Sequence, residues 1–477
     1  MNTVTLPAAD LKQALPGLSK VVSRKASLPV LQHVRLTRTS AGNVTLQATD
    51  LDAFVSYNLT HAQPGEQLDV LLPFETLNKS GKGSGGEVVI QIESKDLVRL
   101  RYQVAGSSLE QSVAILRPDE FPPKPVINKP MIKMPENFGE CLRQAFETSS
   151  NDSSRYVLQG AYLDVDEPNC HSIVSTNGRA LFAANTFKFD LKESVNLYRQ
   201  KFLEWPGFLN GECEMSVKKE KDKVAWVQLT TPRWECIVKQ IDGAYPNWRQ
   251  VVPNDTDNWT KIQLSETALR QMLNLSSKLP GDDHCNRTLH IKVDTELHLE
   301  GRNKDDAKPT SAVIADVKIT GNPVETALNR EYLQTALRCG LNEIRINSEM
   351  DPLLFLKPGK RMVVMPVRLN GPASPTVPPA DPSDSVPPAT EEQPRAEEKE
   401  TIKADMTKET VKNPPIKNAE PTLLDMIEQI KDAAKNLVRD LNTLTEGARQ
   451  LEREKRVSEK EVEAARSVLK KLQQVQL

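Results

Sequence analysis

This 477-residue chain has almost no net charge, few histidines, no paired cysteines and no long apolar run, and each shortage closes off a class of function. The formal charge is −2. Residues 370–477 hold 17 of the 62 Lys+Arg and 20 of the 64 Asp+Glu, leaving 45 and 44 to residues 1–369. A body so balanced is not a generally basic nucleic-acid binder, and any DNA-facing charge must be local. The six cysteines, Cys141, Cys170, Cys213, Cys236, Cys285 and Cys339, never stand as Cys-x-x-Cys, which points to a reduced cytoplasmic protein with free thiols. No stretch approaches the ~18 apolar residues of a membrane span. The opening Met1-Asn2-Thr3-Val4-Thr5-Leu6 lacks the basic start and apolar run of a signal peptide. The six histidines are scattered and support neither a Ser-His-Asp nor a Cys-His arrangement, so no enzyme and no cofactor are expected. Asp282-Asp283-His284-Cys285 gathers metal-capable side chains without a second cluster at ligand spacing, and reads as a surface loop with no metal. Gly81-Lys82-Gly83-Ser84-Gly85-Gly86 lacks the spacing of a phosphate-binding loop and reads as a flexible loop that opens no helix.

What is present is a weak threefold repeat. Leu15, Leu142 and Leu269 fall 127 residues apart, each inside a candidate amphipathic helix: Leu11 to Leu15, Phe138 to Leu142, and Leu269 to Leu273. Alternating strands follow, such as Val34 to Thr37 and Val44 to Ala48. The turn dipeptides Thr49-Asp50, Thr176-Asn177 and Arg302-Asn303 keep nearly the same spacing. A second helix is expected mid-unit at Phe74 to Lys79, Leu197 to Leu203 and Arg330 to Arg338. Two helices against many strands make an α+β domain, and units this large are globular domains instead of solenoid repeats. The expected domains are residues 1–124, 125–253 and 254–369.

Three segments carry more than the rest: Arg155-Tyr156-Val157-Leu158-Gln159-Gly160, Tyr245-Pro246-Asn247-Trp248-Arg249-Gln250-Val251-Val252-Pro253, and Val363-Val364-Met365-Pro366-Val367-Arg368-Leu369. Ser27-Leu28-Pro29-Val30-Leu31, Thr49-Asp50-Leu51-Asp52 and Leu116 to Pro122 stand in order before them. Together they resemble the bacterial DNA sliding clamp, the beta subunit of DNA polymerase III, over residues 1–369. The resemblance implies three similar clamp domains, paired head to tail in a homodimeric ring with helices lining the hole. It implies double-stranded DNA, the replicative DNA polymerase, a clamp loader and other proteins with clamp-binding peptides as partners. The alternative is a clamp paralogue that recruits proteins without encircling replicating DNA.

The resemblance also implies sites. A partner-peptide pocket between the second and third domains would use Leu158, Thr176, Gly178, Leu181, Pro246, Val251, Val363, Met365, Pro366, Val367, Arg368 and Leu369. Its rim departs from the family pattern. Thr176-Asn177-Gly178-Arg179-Ala180-Leu181 stands where the family has Thr-Asp-Gly-His-Arg-Leu, and Gln250 replaces an expected arginine. DNA contacts are expected from Arg24 and Lys25 beside the Leu28-Pro29 loop, from Tyr156, and from basic residues on the candidate helices: Lys20, Lys79, Lys82, Arg199, Lys201, Arg270, Lys278 and Arg338.

The final 108 residues read differently. Residues 370–420 are rich in proline and charge and are expected to be a disordered linker. In 421–477 a seam runs through Ile427, Ile430, Ala434, Leu437, Leu441, Leu444, Ala448 and Leu451 at spacings of three and four. Ser458 and Glu461 then form a capping box, so a fresh helix starts near Glu459. A helical hairpin is expected, with a continuous coiled coil as the alternative.

Overall fold

The computed structural model of the chain describes residues 3–368, apart from residues 24, 84–85, 169, 221–222, 255–257, 282, 284–285 and 304. Arg24, Leu369, and the segments expected to be a linker (370–420) and a helical hairpin (421–477) therefore lie outside the described residues.

Six helices form among the described residues, in pairs, and each pair packs together. The first, α1 (Ala8–Leu18), buries Leu11, Ala14, Leu15 and Leu18, one face at a 3.6-residue period. It packs on α2 (Phe74–Gly83). Gly81 and Lys82 belong to the last turn of α2, which corrects the expected flexible loop. The reason is packing: a Cβ on Gly81 would stand 2.6 Å from the Leu15 Cδ1, so glycine lets the helices close.

The second pair is α3 (Phe138–Thr148) and α4 (Lys201–Glu204). α3 buries Phe138, Cys141, Leu142, Ala145 and Phe146. The helix expected over Leu197 to Leu203 is corrected: Val195–Tyr198 is a strand pairing with Gly160–Asp164, Leu197 opposite Ala161, and only Lys201–Glu204 is helical. The third pair is α5 (Glu266–Lys278) and α6 (Arg330–Arg338), capped by Ser265 on the Ala268 N–H and by Asn329 on the Glu331 N–H. Arg330 is 2% exposed and donates to the carbonyls of Leu279, Pro280 and Arg287 at 2.7, 2.6 and 3.1 Å. The cation thus sits at the C-terminal end of α5, where the helix dipole favours it.

Four sheets carry these pairs. An eight-stranded sheet joins the first repeat to the second through strand Ala53–Asn58 against Trp234–Lys239. A nine-stranded sheet joins the second to the third through Ala180–Phe187 against Lys360–Val364. Two four-stranded sheets remain, Thr3–Pro7 with Glu87–Ile92, Leu97–Val104 and Ser107–Ala114, and Val324–Leu328 with Leu289–Val293, Leu297–Gly301 and Thr310–Ile314. The strands Ser107–Ala114 and Thr310–Ile314 lie at sheet edges and are largely exposed, Leu109 at 43% and Val313 at 47%.

Candidate functional site

The two shared sheets create two equivalent junctions, and their hairpins match atom for atom. At the first, the Thr49 hydroxyl donates to the Ala53 carbonyl at 2.8 Å and accepts from the Leu51 N–H at 3.0 Å. The Asp50 carboxylate accepts from the N–H groups of Asp52 and Ala53. At the second, Thr176 donates to the Ala180 carbonyl at 2.7 Å and accepts from Gly178 at 3.1 Å, while the Asn177 side chain accepts from Arg179 and Ala180. The turn residue is left-handed in both, Leu51 at φ 80° and Gly178 at φ 84°. Short polar side chains that bond two residues ahead are why Thr-Asp and Thr-Asn mark these turns.

The second junction gathers most of the expected pocket residues. Its floor is a separate apolar cluster of Val174, Leu181, Ala183, Trp248, Trp259, Leu354 and Val363, with Tyr245 and Val252 packed against it. Leu181 and Val363 face each other across the strand pair and are only 3% and 4% exposed, so they support the floor instead of lining an open surface. Above them Met365 is 47% and Val251 57% exposed, and Pro246 is exposed. Leu158, Thr176, Pro366 and Val367 are half-buried, and Arg368 is exposed. Met365 is anchored by its N–H on the Arg179 carbonyl at 2.9 Å, and Val367 by its N–H on Ala327 at 2.7 Å. An exposed thioether over a buried apolar floor suits a docked apolar side chain.

Several supports were not read from the sequence. Asp164, buried within the strand Gly160–Asp164, accepts from the Trp248 indole N–H at 2.7 Å and the Arg249 guanidinium at 2.8 Å. Arg249 also pairs with Glu167 and stacks over Trp248. Burial alone would lower the Arg249 pKa; its two carboxylates outweigh that and raise it. Tyr162 and Tyr245 stack at 4.5 Å, and the Asn177 amide donates to the Tyr332 hydroxyl on α6 at 3.2 Å. The Tyr-Pro-Asn-Trp-Arg run signalled its aromatic part; the buried carboxylate gave no signal, because an aspartate at a strand end reads as a turn residue.

The expected DNA contacts divide in two. Lys79, Arg199, Arg270 and Arg338 are held in ion pairs with Glu75, Glu204, Glu266 and Glu147. Lys20, Lys25, Lys82, Lys201 and Lys278 are exposed and make no ion pair with any described residue. Tyr156 lies in the 3₁₀ turn Ser153–Leu158 and is 55% exposed. It borders a cleft lined by Gln159, Tyr198, Asp52 and Lys239.

The metal-capable run is described only at Asp283, whose carboxylate accepts from the N–H groups of Asn286, Arg287 and Thr288 and so ties a loop. No group of three or more metal-capable side chains is found among the described residues. Burial pushes the Cys213 and Cys339 thiols up to about 12, which keeps them protonated and unreactive. Among the described residues no helix is long and apolar enough to cross a membrane.

No family model matches the chain. It is 23% identical over 384 residues to the beta sliding clamp of Pseudomonas putida KT2440, a match covering 76% of this chain and 99% of the relative. Among solved structures it superposes on the DNA polymerase sliding clamp from Bacillus subtilis with a TM-score of 0.65 and 18% identity, covering 77% of this chain and 99% of the other. The DNA polymerase III beta subunit from Thermotoga maritima gives a TM-score of 0.64, 18% identity and coverage of 77% and 100%. The chain has the sliding-clamp fold, of mixed helix and sheet, and resembles the bacterial sliding clamps over nearly their whole length.

Proposed function

We propose that this chain is a DNA sliding clamp, which encircles duplex DNA and tethers the replicative DNA polymerase for processive synthesis. The observation that carries the reading is its likeness to a beta sliding clamp over 99% of that protein, so that no repeat of the fold is missing. The matched relatives are named beta sliding clamps, which favours this over a scaffold that does not encircle DNA. Residues 1–124, 125–253 and 254–369 are three clamp domains, and residues 370–477 recruit further proteins.

Such a protein performs no chemistry. It acts in the cytoplasm by topology, so it gains nothing from tight phosphate contacts, which would oppose sliding. A near-neutral body with a few solvated lysines suits that task. The sheets support ring closure. Each junction within the chain is a sheet of eight or nine strands, whereas each end carries only four. Strand Ser107–Ala114 of one copy against Thr310–Ile314 of another would complete a sheet of the same size, joining two copies head to tail and covering Leu109 and Val313. The pocket at the second junction receives the polymerase's peptide, and a clamp loader opens the ring.

The test is retention on DNA. The protein loaded on a closed or nicked circle should remain through gel filtration and leave once the circle is linearised. Equal retention on linear and circular DNA would show ordinary binding and sink the proposal.

A further inference from the structure

The two junctions share one hairpin geometry, so they can be compared position by position, and one of the places where their charges differ is a facing pair beside the turn. At the first, the Lys239 N–H donates to the Asp52 carbonyl at 3.0 Å. At the second, the Met365 N–H donates to the Arg179 carbonyl at 2.9 Å. Strand register agrees, Ala53 facing Val238 and Ala180 facing Val364. Arg179 is thus the counterpart of Asp52, and Met365 the counterpart of Lys239.

At the first junction these two side chains satisfy each other: Lys239 Nζ lies 2.9 Å from Asp52 Oδ1. The exposed cation also sits over the Trp226 ring at 5.6 Å. The two charges beside that turn are paired with each other. At the second junction the carboxylate is replaced by a cation and the cation by an apolar thioether. Arg179 is exposed and makes no ion pair with any described residue. The nearby cations do not change this. Arg249 is neutralised by Asp164 and Glu167. Arg155 lies 3.8 Å from Asp152 and leans over the same turn, its Nη1 3.4 Å from the Asn177 carbonyl. The turn therefore presents a surplus positive charge beside an exposed apolar side chain.

We propose that Arg179 is a specificity-determining residue of the pocket: it selects a partner peptide that carries a carboxylate next to its apolar anchor. The carboxylate takes the place that Lys239 and Asp52 fill for each other at the first junction, while the anchor covers Met365. This rests on the reading of the second junction as the peptide pocket. Arginine suits the role because its guanidinium stays charged and offers two parallel N–H donors to a carboxylate. The pair would be rim-exposed, so it would tune selectivity more than total affinity.

The experiment uses the full chain and a labelled clamp-binding peptide from a replicative polymerase, made with Asp, Asn or Lys at each position in turn. At one position the Asp form should bind about three- to tenfold tighter than the Lys form, and the preference should shrink in 0.5 M salt. Arg179→Gln should abolish the preference and Arg179→Glu should invert it; Arg179 is exposed, so both variants should fold. The double variant Arg179→Asp with Met365→Lys recreates the first junction's ion pair and should close the site to every peptide. If the peptide binds but Arg179→Glu leaves its charge preference unchanged, the proposal falls and the pocket stands. If no peptide of any charge binds, the pocket reading fails and takes the proposal with it. If a single-stranded oligonucleotide alone binds and needs Arg179, the residue serves nucleic acid and the proposal is overturned.

Discussion

Within the pocket, two residues that the sequence groups together do different work. Leu181 is part of the apolar floor together with Trp248 and Trp259, whereas Met365 is half in solvent. Truncating a buried leucine removes contacts and leaves a cavity, which typically costs 2–5 kcal/mol. Leu181→Ala should therefore lower stability by about 2–3 kcal/mol in a urea titration and weaken peptide binding as well. Met365→Ala should change stability by less than about 0.5 kcal/mol. Its loss should appear instead in calorimetry with a polymerase peptide, at about 1–3 kcal/mol. Equal destabilisation by both variants would show that Met365 is buried in solution and forms no part of an open site. The same contrast explains what the sequence could reveal here. Apolar residues at alternate strand positions predict burial, but which face another chain segment covers is decided by Trp248 and Trp259, which arrive from distant segments. That Arg179 has no ion-pair partner among the described residues is likewise invisible in sequence, because pairing is a tertiary fact.

Among the elements, helices with a full apolar face were legible and short or glycine-rich ones were not. α6 occupies the expected Arg330–Arg338 span because Leu333, Ala336 and Leu337 repeat at helical spacing and Asn329 caps it. The helix expected over Leu197 to Leu203 gives way to the end of the strand Val195–Tyr198 and a single turn, because so short a segment cannot separate a period of two from one of 3.6. Gly81 was misread because glycine signals a loop until the neighbouring helix that needs its space is known. How elements are tied together yields a pH prediction. Lys360, on the last strand, pairs with Glu140 in the first turn of α3 at 2.7 Å, joining the second repeat to the third. The bond lowers the Glu140 pKa; burial alone would lower Lys360, but the same bond raises it. A depressed carboxyl contributes stability that is present above its unfolded value, about 4.3, and is lost as pH falls through the folded value. The raised lysine contributes below about 10.4 and loses its share as pH rises beyond its folded value. Glu140 is more than half exposed, so the contribution should be only about 0.5–1 kcal/mol. Glu140→Gln should lower the stability obtained from a urea titration by that amount at pH 7, and by progressively less as pH falls through the folded value. A shift of the same size at pH 3 would mean the loss is of packing, not of charge.

For the whole molecule, the proposed assembly and DNA holding can each be tested at a few contacts. If the two half-sheets meet, Leu109→Lys and Val313→Lys each place a charge in the interface and should convert the dimer to monomer in light scattering at micromolar concentration. The helices, packed elsewhere, should keep their circular dichroism. A parent protein that is already monomeric at that concentration would remove the ring. The DNA-facing charge can then be counted through salt. Each phosphate contact contributes close to one counterion to the slope of log affinity against log salt. Lys25 is exposed and unpaired among the described residues, whereas Arg270 and Arg338 already have carboxylate partners and so offer DNA no surplus positive charge. Lys25→Ala should therefore flatten the slope by about 2 in a ring, since two copies each lose a contact, and by about 1 in a single chain. Arg270→Ala and Arg338→Ala should leave it nearly unchanged. The measurement is retention on nicked circular DNA from 50 to 200 mM salt. Equal slopes for Lys25→Ala and the parent would show that this lysine faces solvent and that the DNA path runs elsewhere.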